Sequence, residues 1–476
     1  MPLKGEMLLG IQYTLVNRGF AINNRLSSNP DDPKFYQPRN PNYPLSFGES
    51  FSPSKGNITE PGIGANWEKT KYLFDFTYKQ PIGNALIELK AYKDYEDRDE
   101  KNYSANWINP NYPNGKLVLD RTVKSDRSYG GSVEFSMPFN KHEITAGIER
   151  KVIKTGGQDV HYADNNYGVT GGAMAPSSGT ASYMWGYYIQ DNWNITDKIL
   201  LTPGIRYDTY KAPQTGLAKE LEIKDEGLSL SLTGTYKISK DDTITASIYR
   251  KFITPSAPDA WWWYEGFIGG LYTTGLKLEK NNALELTYRH NFSQKDFIRF
   301  ALYHYSIDDF IRRFSIPTGR GCYNIDKVTL TGASIDGAFE AAKWLTMIGN
   351  ITYQKSKKEG DVFDPSKLTD ELDYTPKWKF NIGADLKLPY SSTLSLRGRY
   401  VGERHTVYSY RVTGQTKYKL MKLDSFTTAD AEVKIPVAKY AELGIYAENI
   451  FDKGYEEQFG YPMTGRIIGA ALKITL

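Results

Sequence analysis

Four aromatic residues stand side by side in the run Asp259-Ala260-Trp261-Trp262-Trp263-Tyr264-Glu265-Gly266-Phe267. Consecutive rings in a loop cannot all face one core, so some are expected at the surface, where aromatic clusters mark binding sites. Trp261, Trp262, Trp263, Tyr264 and Phe267 are therefore candidate ligand contacts, their flat rings suited to aromatic or sugar-like ligands. The alternative is that they fold onto the loop's own packing or join an aromatic girdle at a membrane interface. Arg320 and Arg404, with Arg39 and Arg411, fall in other loop-like segments, where their field would draw an anionic ligand. His161 is a lone histidine in a further loop, and the five histidines at 142, 161, 290, 304 and 405 have no metal-ligand spacing. The single cysteine, Cys322, permits no internal disulfide. With no Ser-His-Asp context, phosphate-cradling glycine loop or CxxC pair, no catalytic residue, metal or cofactor is expected. A net charge of +4 spread along the chain, without a basic block, argues against nucleic acid.

The elements that hold these residues have a period of two. Trp378, Phe380, Ile382, Ala384, Leu386 and Leu388 alternate with Lys377, Lys379, Asn381, Asp385 and Lys387. Such alternation means a strand with one apolar and one wet face. It recurs at Ala85-Ile87-Leu89-Ala91, at Ile144-Ala146-Ile148 and at Ala441-Leu443-Ile445-Ala447. Several segments exceed the usual strand length in soluble sheets and suit a tilted bilayer crossing, which takes roughly 9–11 residues. The mean hydropathy of -0.52 and the lack of a long apolar run exclude a membrane helix but not a barrel, in which only alternate residues meet lipid. Tyrosine is abundant, with 36 copies beside 21 Phe and 9 Trp, as an aromatic girdle at two interfaces requires. In the segment 377–388 the apolar set is expected to point outward, with Lys379, Asn381 and Asp385 lining the interior.

Eighteen strand candidates run from near 5–16 to 465–476, and their connections alternate strictly between tight and long. Tight ones include Pro81-Ile82-Gly83, Asn140-Lys141, Lys240-Asp241 and Ala438-Lys439, all turn-compatible. Long ones fall near 17–67, 97–125, 155–180, 212–226, 254–281, 310–324, 357–375, 405–423 and 450–464. Short turns at one end and long loops at the other predict an all-β, antiparallel transmembrane β-barrel. The repeated Asn-Pro-Asn-Tyr-Pro at 40–44 and 109–113 is either a duplicated recognition element or coincidental turn chemistry.

The order of several blocks resembles the TonB-dependent outer-membrane receptors of the siderophore type. Ala447-Glu448-Asn449-Ile450-Phe451-Asp452-Lys453-Gly454-Tyr455, followed by Gly460-Tyr461-Pro462-Met463-Thr464-Gly465-Arg466, looks like that family's closing hairpin. Upstream, Tyr187-Tyr188-Ile189-Gln190-Asp191 with Leu201-Thr202-Pro203-Gly204-Ile205-Arg206-Tyr207-Asp208 resembles its mid-barrel hairpin. Cys322-Tyr323-Asn324-Ile325 through Gly332 resembles a further strand. The resemblance covers roughly 180–476 closely and 1–180 by strand pattern alone. It implies a barrel in the lipid of a Gram-negative outer membrane that takes up a scarce ligand, most often a ferric siderophore, by TonB-energised transport. It also implies a 22-strand barrel around a plug, through which the TonB complex acts. The eighteen strands of residues 1–476 would then be the barrel portion, N-terminally truncated and without the plug. The chain ends in Leu476 where the family usually has an aromatic residue. The competing reading is a passive, plugless 18-strand porin for small solutes.

Overall fold

A computed structural model of the chain describes residues 5–19, 29–36, 65–104, 118–162, 175–214, 221–256, 259–260, 263–264, 275–316, 319–361, 367–463 and 465–475. From the N-terminus come β1 (Glu6–Gly19), β2 (Ala65–Ile82), β3 (Ala85–Ser104), β4 (Val118–Phe139), β5 (His142–Tyr162), β6 (Ala175–Asp191) and β7 (Trp193–Thr196). Next are β8 (Ile199–Gln214), β9 (Leu221–Lys237), β10 (Asp242–Ile253), β11 (Glu279–Asn291), β12 (Phe297–Ile316), β13 (Gly319–Ala342) and β14 (Leu345–Glu359). The last are β15 (Trp378–Lys387), β16 (Thr393–Val401), β17 (Arg404–Val412), β18 (Gln415–Leu423), β19 (Phe426–Ala438), β20 (Ala441–Glu448), β21 (Glu456–Gln458), β22 (Tyr461–Pro462) and β23 (Ile467–Ile474).

All but β17, β18, β21 and β22 form one antiparallel sheet of 19 strands. In it β6 and β7 are a single pass, because Asn192 between them keeps both backbone bonds to Glu143. Eighteen passes therefore lie side by side, each bonded to its neighbour in sequence, as the alternation predicts. Among the described residues β1 pairs only with β2 and β23 only with β20. Among the described residues helix is limited to short turns at Pro33–Tyr36 and Pro389–Ser391 and to 259–260 and 263–264, and no described helix is long and apolar enough to cross a membrane.

Tight turns join the passes at one end. Two share a Ser-x-x-Asp device, in which the Ser239 hydroxyl donates to Asp242 (2.6 Å) and that of Ser293 to Asp296 (2.9 Å). Each hydroxyl also accepts backbone N–H bonds, satisfying groups that the turn removes from the ladder. Gly83 and Asn140 carry the positive φ that other tight turns need. The strand ends that border the long connections lie at the opposite end. Several loop expectations change here. The stretch 310–324 is not a loop, since pairing of β12 with β13 runs unbroken from Phe310↔Ile325 to Ile316↔Gly319. The stretch 405–423 is the paired hairpin β17–β18, and 97–104, 118–125, 155–162 (with His161) and 175–180 belong to strands β3 to β6. Backbone bonding continues past the point where apolar alternation stops, so the β12–β13 hairpin projects beyond the belt.

The two faces separate cleanly. Tyr188 on β6 donates to Glu134 on β4 (2.7 Å) over the intervening β5, and Arg206 on β8 reaches Glu149 on β5 (3.0 Å) over β6. Bonds that skip a strand are made on a concave side, so this polar face lines the lumen. The opposite face carries Val133, Ile148, Ile189, Ile205, Leu302, Leu396 and Leu472, all exposed and apolar. On β15 the outward expectation agrees: Trp378 and Ile382 are exposed, and Phe380 stacks on Tyr400 at 5.1 Å. Asp385 bonds Ser395 and Arg397 on the other face. Ile382, 60% exposed in mid-strand, gives a direct test. Ile382→Arg is expected to lower stability in phospholipid vesicles by about 2–4 kcal/mol, the cost of a guanidinium near the bilayer midplane. Asn381→Arg, on the lumenal register, is expected to change little. Equal losses for the two in denaturant titrations would overturn the face assignment, and a larger loss for Asn381→Arg would reverse it.

At the loop end, 29–36 reaches across to the hairpin β17–β18. Phe35 is buried among Met421, Leu423 and Phe459, and Asp31 accepts from Tyr410 (3.1 Å) and Lys419 (3.5 Å). Segments near the two ends of the chain are thereby tied together.

Candidate functional site at the loop end

The connection from β10 to β11 carries the tryptophan run, and its described parts turn inward. A reciprocal cap starts the helical turn: Asp259 Oδ2 accepts from the Ser256 N–H (2.9 Å) and hydroxyl (2.6 Å), while Ser256 Oγ accepts from the Asp259 N–H (3.2 Å). Arg313 of β12 clamps the turn through Asp259 Oδ1 (2.5 Å) and Ser256 Oγ (3.0 Å). Trp263 and Tyr264 then pack edge to face, with centroids 4.8 Å apart, against Tyr210, Ala212, Ile223, Leu278 and Cys322. The Tyr264 hydroxyl donates to the Ala212 carbonyl. Burial raises the Tyr264 phenol well above its ordinary range, so it stays a neutral donor. The returning strand is fixed by the Leu278 N–H on Asp225 (3.0 Å) and by Lys277 with Asn324 (2.9 and 3.1 Å). Tyr210 and Ala212 share the register of Arg206 and Asp208, so the loop lies on the lumenal wall.

Towards the tight-turn end the wall opens into a cleft of about 920 Å³, lined among others by Glu149, Lys151, Tyr188, Arg206, Asp208 and Phe252. Arg206 donates to Asp208 (2.8 Å) and Glu149 (3.0 Å), while Glu285 accepts from Tyr249 (3.0 Å) and Tyr305 (2.8 Å). Carboxylates, phenols and a guanidinium thus line the wall, able to exchange hydrogen bonds with a polyfunctional guest. Among the described residues no group of three or more His, Cys, Asp or Glu is placed to hold a metal ion.

The candidate residues named from sequence fall in different places. Trp263 and Tyr264 are 3% and 1% exposed, so the surface position expected for the aromatics does not hold for these two. The cluster on β8, β9 and β13 buries them. Trp261, Trp262 and Phe267 lie outside the described residues, as does Arg39. Arg320 pairs with Ser315 at the tip of the β12–β13 hairpin. Arg404 is 4% exposed: it donates to the Glu456 carbonyl (2.7 Å) and lies over the Phe426 ring at 5.1 Å, holding the β21 segment. It stands in a packing cluster apart from that of Trp263. The lumenal set of Glu149, Tyr188, Arg206 and Glu285 was missed, although its outward signal was present as the polar half of each alternating strand.

Residues 13–450 match the family described as TonB dependent receptor-like, beta-barrel. The chain belongs to that family. A TonB-dependent receptor barrel is an outer-membrane protein of Gram-negative bacteria, and its tight turns face the periplasm. The ferric enterobactin receptor of Pseudomonas aeruginosa is 23% identical over 311 residues, 58% of this chain and 38% of that protein. The matched stretch is thus well under half of that relative's length. Among solved structures, the ferripyoverdine receptor of the outer membrane of Pseudomonas aeruginosa, bound to ferripyoverdine, superposes with a TM-score of 0.73 at 13% identity. The alignment covers 100% of this chain and 63% of that one. The ferric-catecholate import receptor Fiu from K12 E. coli gives 0.68 at 14% identity, over 98% and 71%. At such identities the likeness is one of fold.

Proposed function

We propose that this barrel forms the wall and loop-borne binding surface of a receptor that captures a ferric siderophore or similar chelate. Capture takes place at the loop end, and the lumen receives the ligand under TonB-delivered energy. TonB acts through a plug, as the resemblance implies. The observation that carries this reading is that the described parts of the β10–β11 connection, Ala260, Trp263, Tyr264, Leu276 and Leu278, pack onto the lumenal wall above a polar cleft. A chelate entering from the loop end meets that connection first, with Trp261, Trp262 and Phe267 as contacts and Arg320 as a source of attraction for an anion. The family match favours this over a passive pore, for which an inward-packed loop is an obstruction.

The test is made in a receptor-null strain that carries the full gene product. Radio-iron-loaded enterobactin and pyoverdine serve as probes, with sugar-driven liposome swelling in parallel. Saturable binding of one chelate, with uptake abolished on loss of TonB, is the expected result. Swelling with small sugars and no saturable chelate binding would instead establish the pore.

A further inference from the structure

A band of cations lies on the outward face, apart from the lumen. On β3, β4, β5 and β6 the outward register runs upward from Leu89, Val133, Ile148 and Ile189 to Lys93, Arg127, Arg150, Lys154 and Trp185. Each cation is held over a ring. Lys93 Nζ and Arg127 Cζ lie 4.9 and 5.3 Å from the same Tyr95 centroid, Arg150 lies 5.1 Å from Trp185, and Lys154 lies 6.0 Å from Tyr129. Arg127 also bonds Asp97 (2.8 Å), but among the described residues no carboxylate pairs with Lys93, Arg150 or Lys154. Lys154 is directly opposite Arg127 in the ladder. Like charges at opposed positions destabilise a sheet, and Asp97 compensates Arg127 but not Lys154, so an anion beside Lys154 would relieve the pair.

Height and shape specify the anion further. From Ile144 to Lys154 the strand rises about 33 Å, or about 25 Å along the membrane normal at a tilt near 40°, the height of the apolar belt. Lys154 and Arg127, opposed in the ladder, therefore stand at the outer-leaflet headgroups, with Lys93 one step below them and Arg150 deeper, in the upper part of the belt. Directly below Arg150 and Trp185, on the same face, an apolar groove of about 530 Å³ runs between Val133, Phe135, Ile148, Ile189, Ile205 and Leu228. Its position continues the cation band into the hydrocarbon region.

We propose that this face seats a phosphorylated lipid of the outer leaflet, with its phosphates among Lys93, Arg127 and Lys154 and an acyl chain in the groove. The rings keep the cations extended and partly desolvated, so the headgroup meets a preformed site. Basic clusters at membrane interfaces attract anionic headgroups in this way.

The purified protein is placed in phosphatidylcholine nanodiscs doped with diphosphoryl lipid A or with phosphatidylglycerol, and bound lipid is read by native mass spectrometry. Preferential retention of the diphosphorylated lipid is expected. Its loss by about tenfold or more is expected in the triple variant Lys93→Gln, Arg127→Gln, Lys154→Gln. Lys93→Arg with Lys154→Arg should keep the lipid, as should Lys240→Gln in a tight turn. Folding of each is checked by unheated gel mobility. Retention of the two lipids in proportion to their supply, or an unchanged triple variant, overturns the proposal. So does displacement of the lipid by millimolar pyrophosphate, which would make this a free-phosphate site.

Discussion

Replacing Arg312 by Ala is expected to release the β14–β15 connection while leaving the sheet assembled. The Arg312 guanidinium bridges Asp361 and Asp373, and Asp361 also accepts from Lys358 (2.7 Å) and Tyr323. Around these charges Leu372 packs against the cluster of Phe314, Tyr323 and Ile325, and its N–H bonds Ser356 (3.0 Å). Removing one partner of a buried charge cluster costs about 3–5 kcal/mol, because the other charges stay buried without compensation. Opening of 367–377 should become more frequent by about two to four orders of magnitude, read as faster amide exchange there and not in β11 or β12. Unchanged exchange would show that the apolar contacts alone hold the segment. Burial raises the Asp361 carboxyl, but Arg312, Lys358 and Tyr323 outweigh it and hold the group below the ordinary carboxylate range. A lowered folded value means that the stabilisation is complete above the unfolded carboxylate range. It is lost as pH falls through the folded value, so the segment stays shut at neutral and mildly acid pH.

Trp263→Ala should have an effect of the same size at the other inward connection. The indole is buried in the cluster that joins β8, β9 and β13 to the loop. Truncating a buried tryptophan costs about 3–5 kcal/mol through lost transfer energy and the cavity left behind. Because the loop is held by that cluster and by Arg313, the loss should appear as exchange at 275–278 and as higher small-solute conductance through the lumen. Tyr390→Ala, at an exposed turn position, is the matched control and should lie within about 0.5 kcal/mol of the parent. Conductance equal to that of the parent would mean that this loop does not narrow the passage.

The strands were legible because lipid demands an apolar residue at every second position on one face. Trp378 to Leu386 carry that demand in the sequence itself. The tight turns were legible for a local reason too, since Ser239 and Asp242 satisfy each other within four residues. The upper part of β12 and β13 was not, because Arg312 and Arg313 stand above the lipid, where alternation is no longer imposed while the ladder persists. The burial of Trp263 and Tyr264 was equally hidden. A run of four aromatics has no period, and the surfaces that cover it, Tyr210 and Ile223, come from strands earlier in the chain. Arg404 reads as a free loop cation until the fold brings it a carbonyl 52 residues away.

The tie between 29–36 and the β17–β18 hairpin bears on the order of folding. Pairing in the sheet joins neighbours in sequence, so hairpins can form and add one at a time at low entropic cost. The bond from Tyr410 to Asp31 spans 379 residues. Closing a flexible loop of that length costs roughly 5 kcal/mol, more than one such bond returns. Once every intervening strand has curved into place the two groups are already adjacent and the cost has been met. The clasp therefore closes last, and a chain that holds it has completed every hairpin in between.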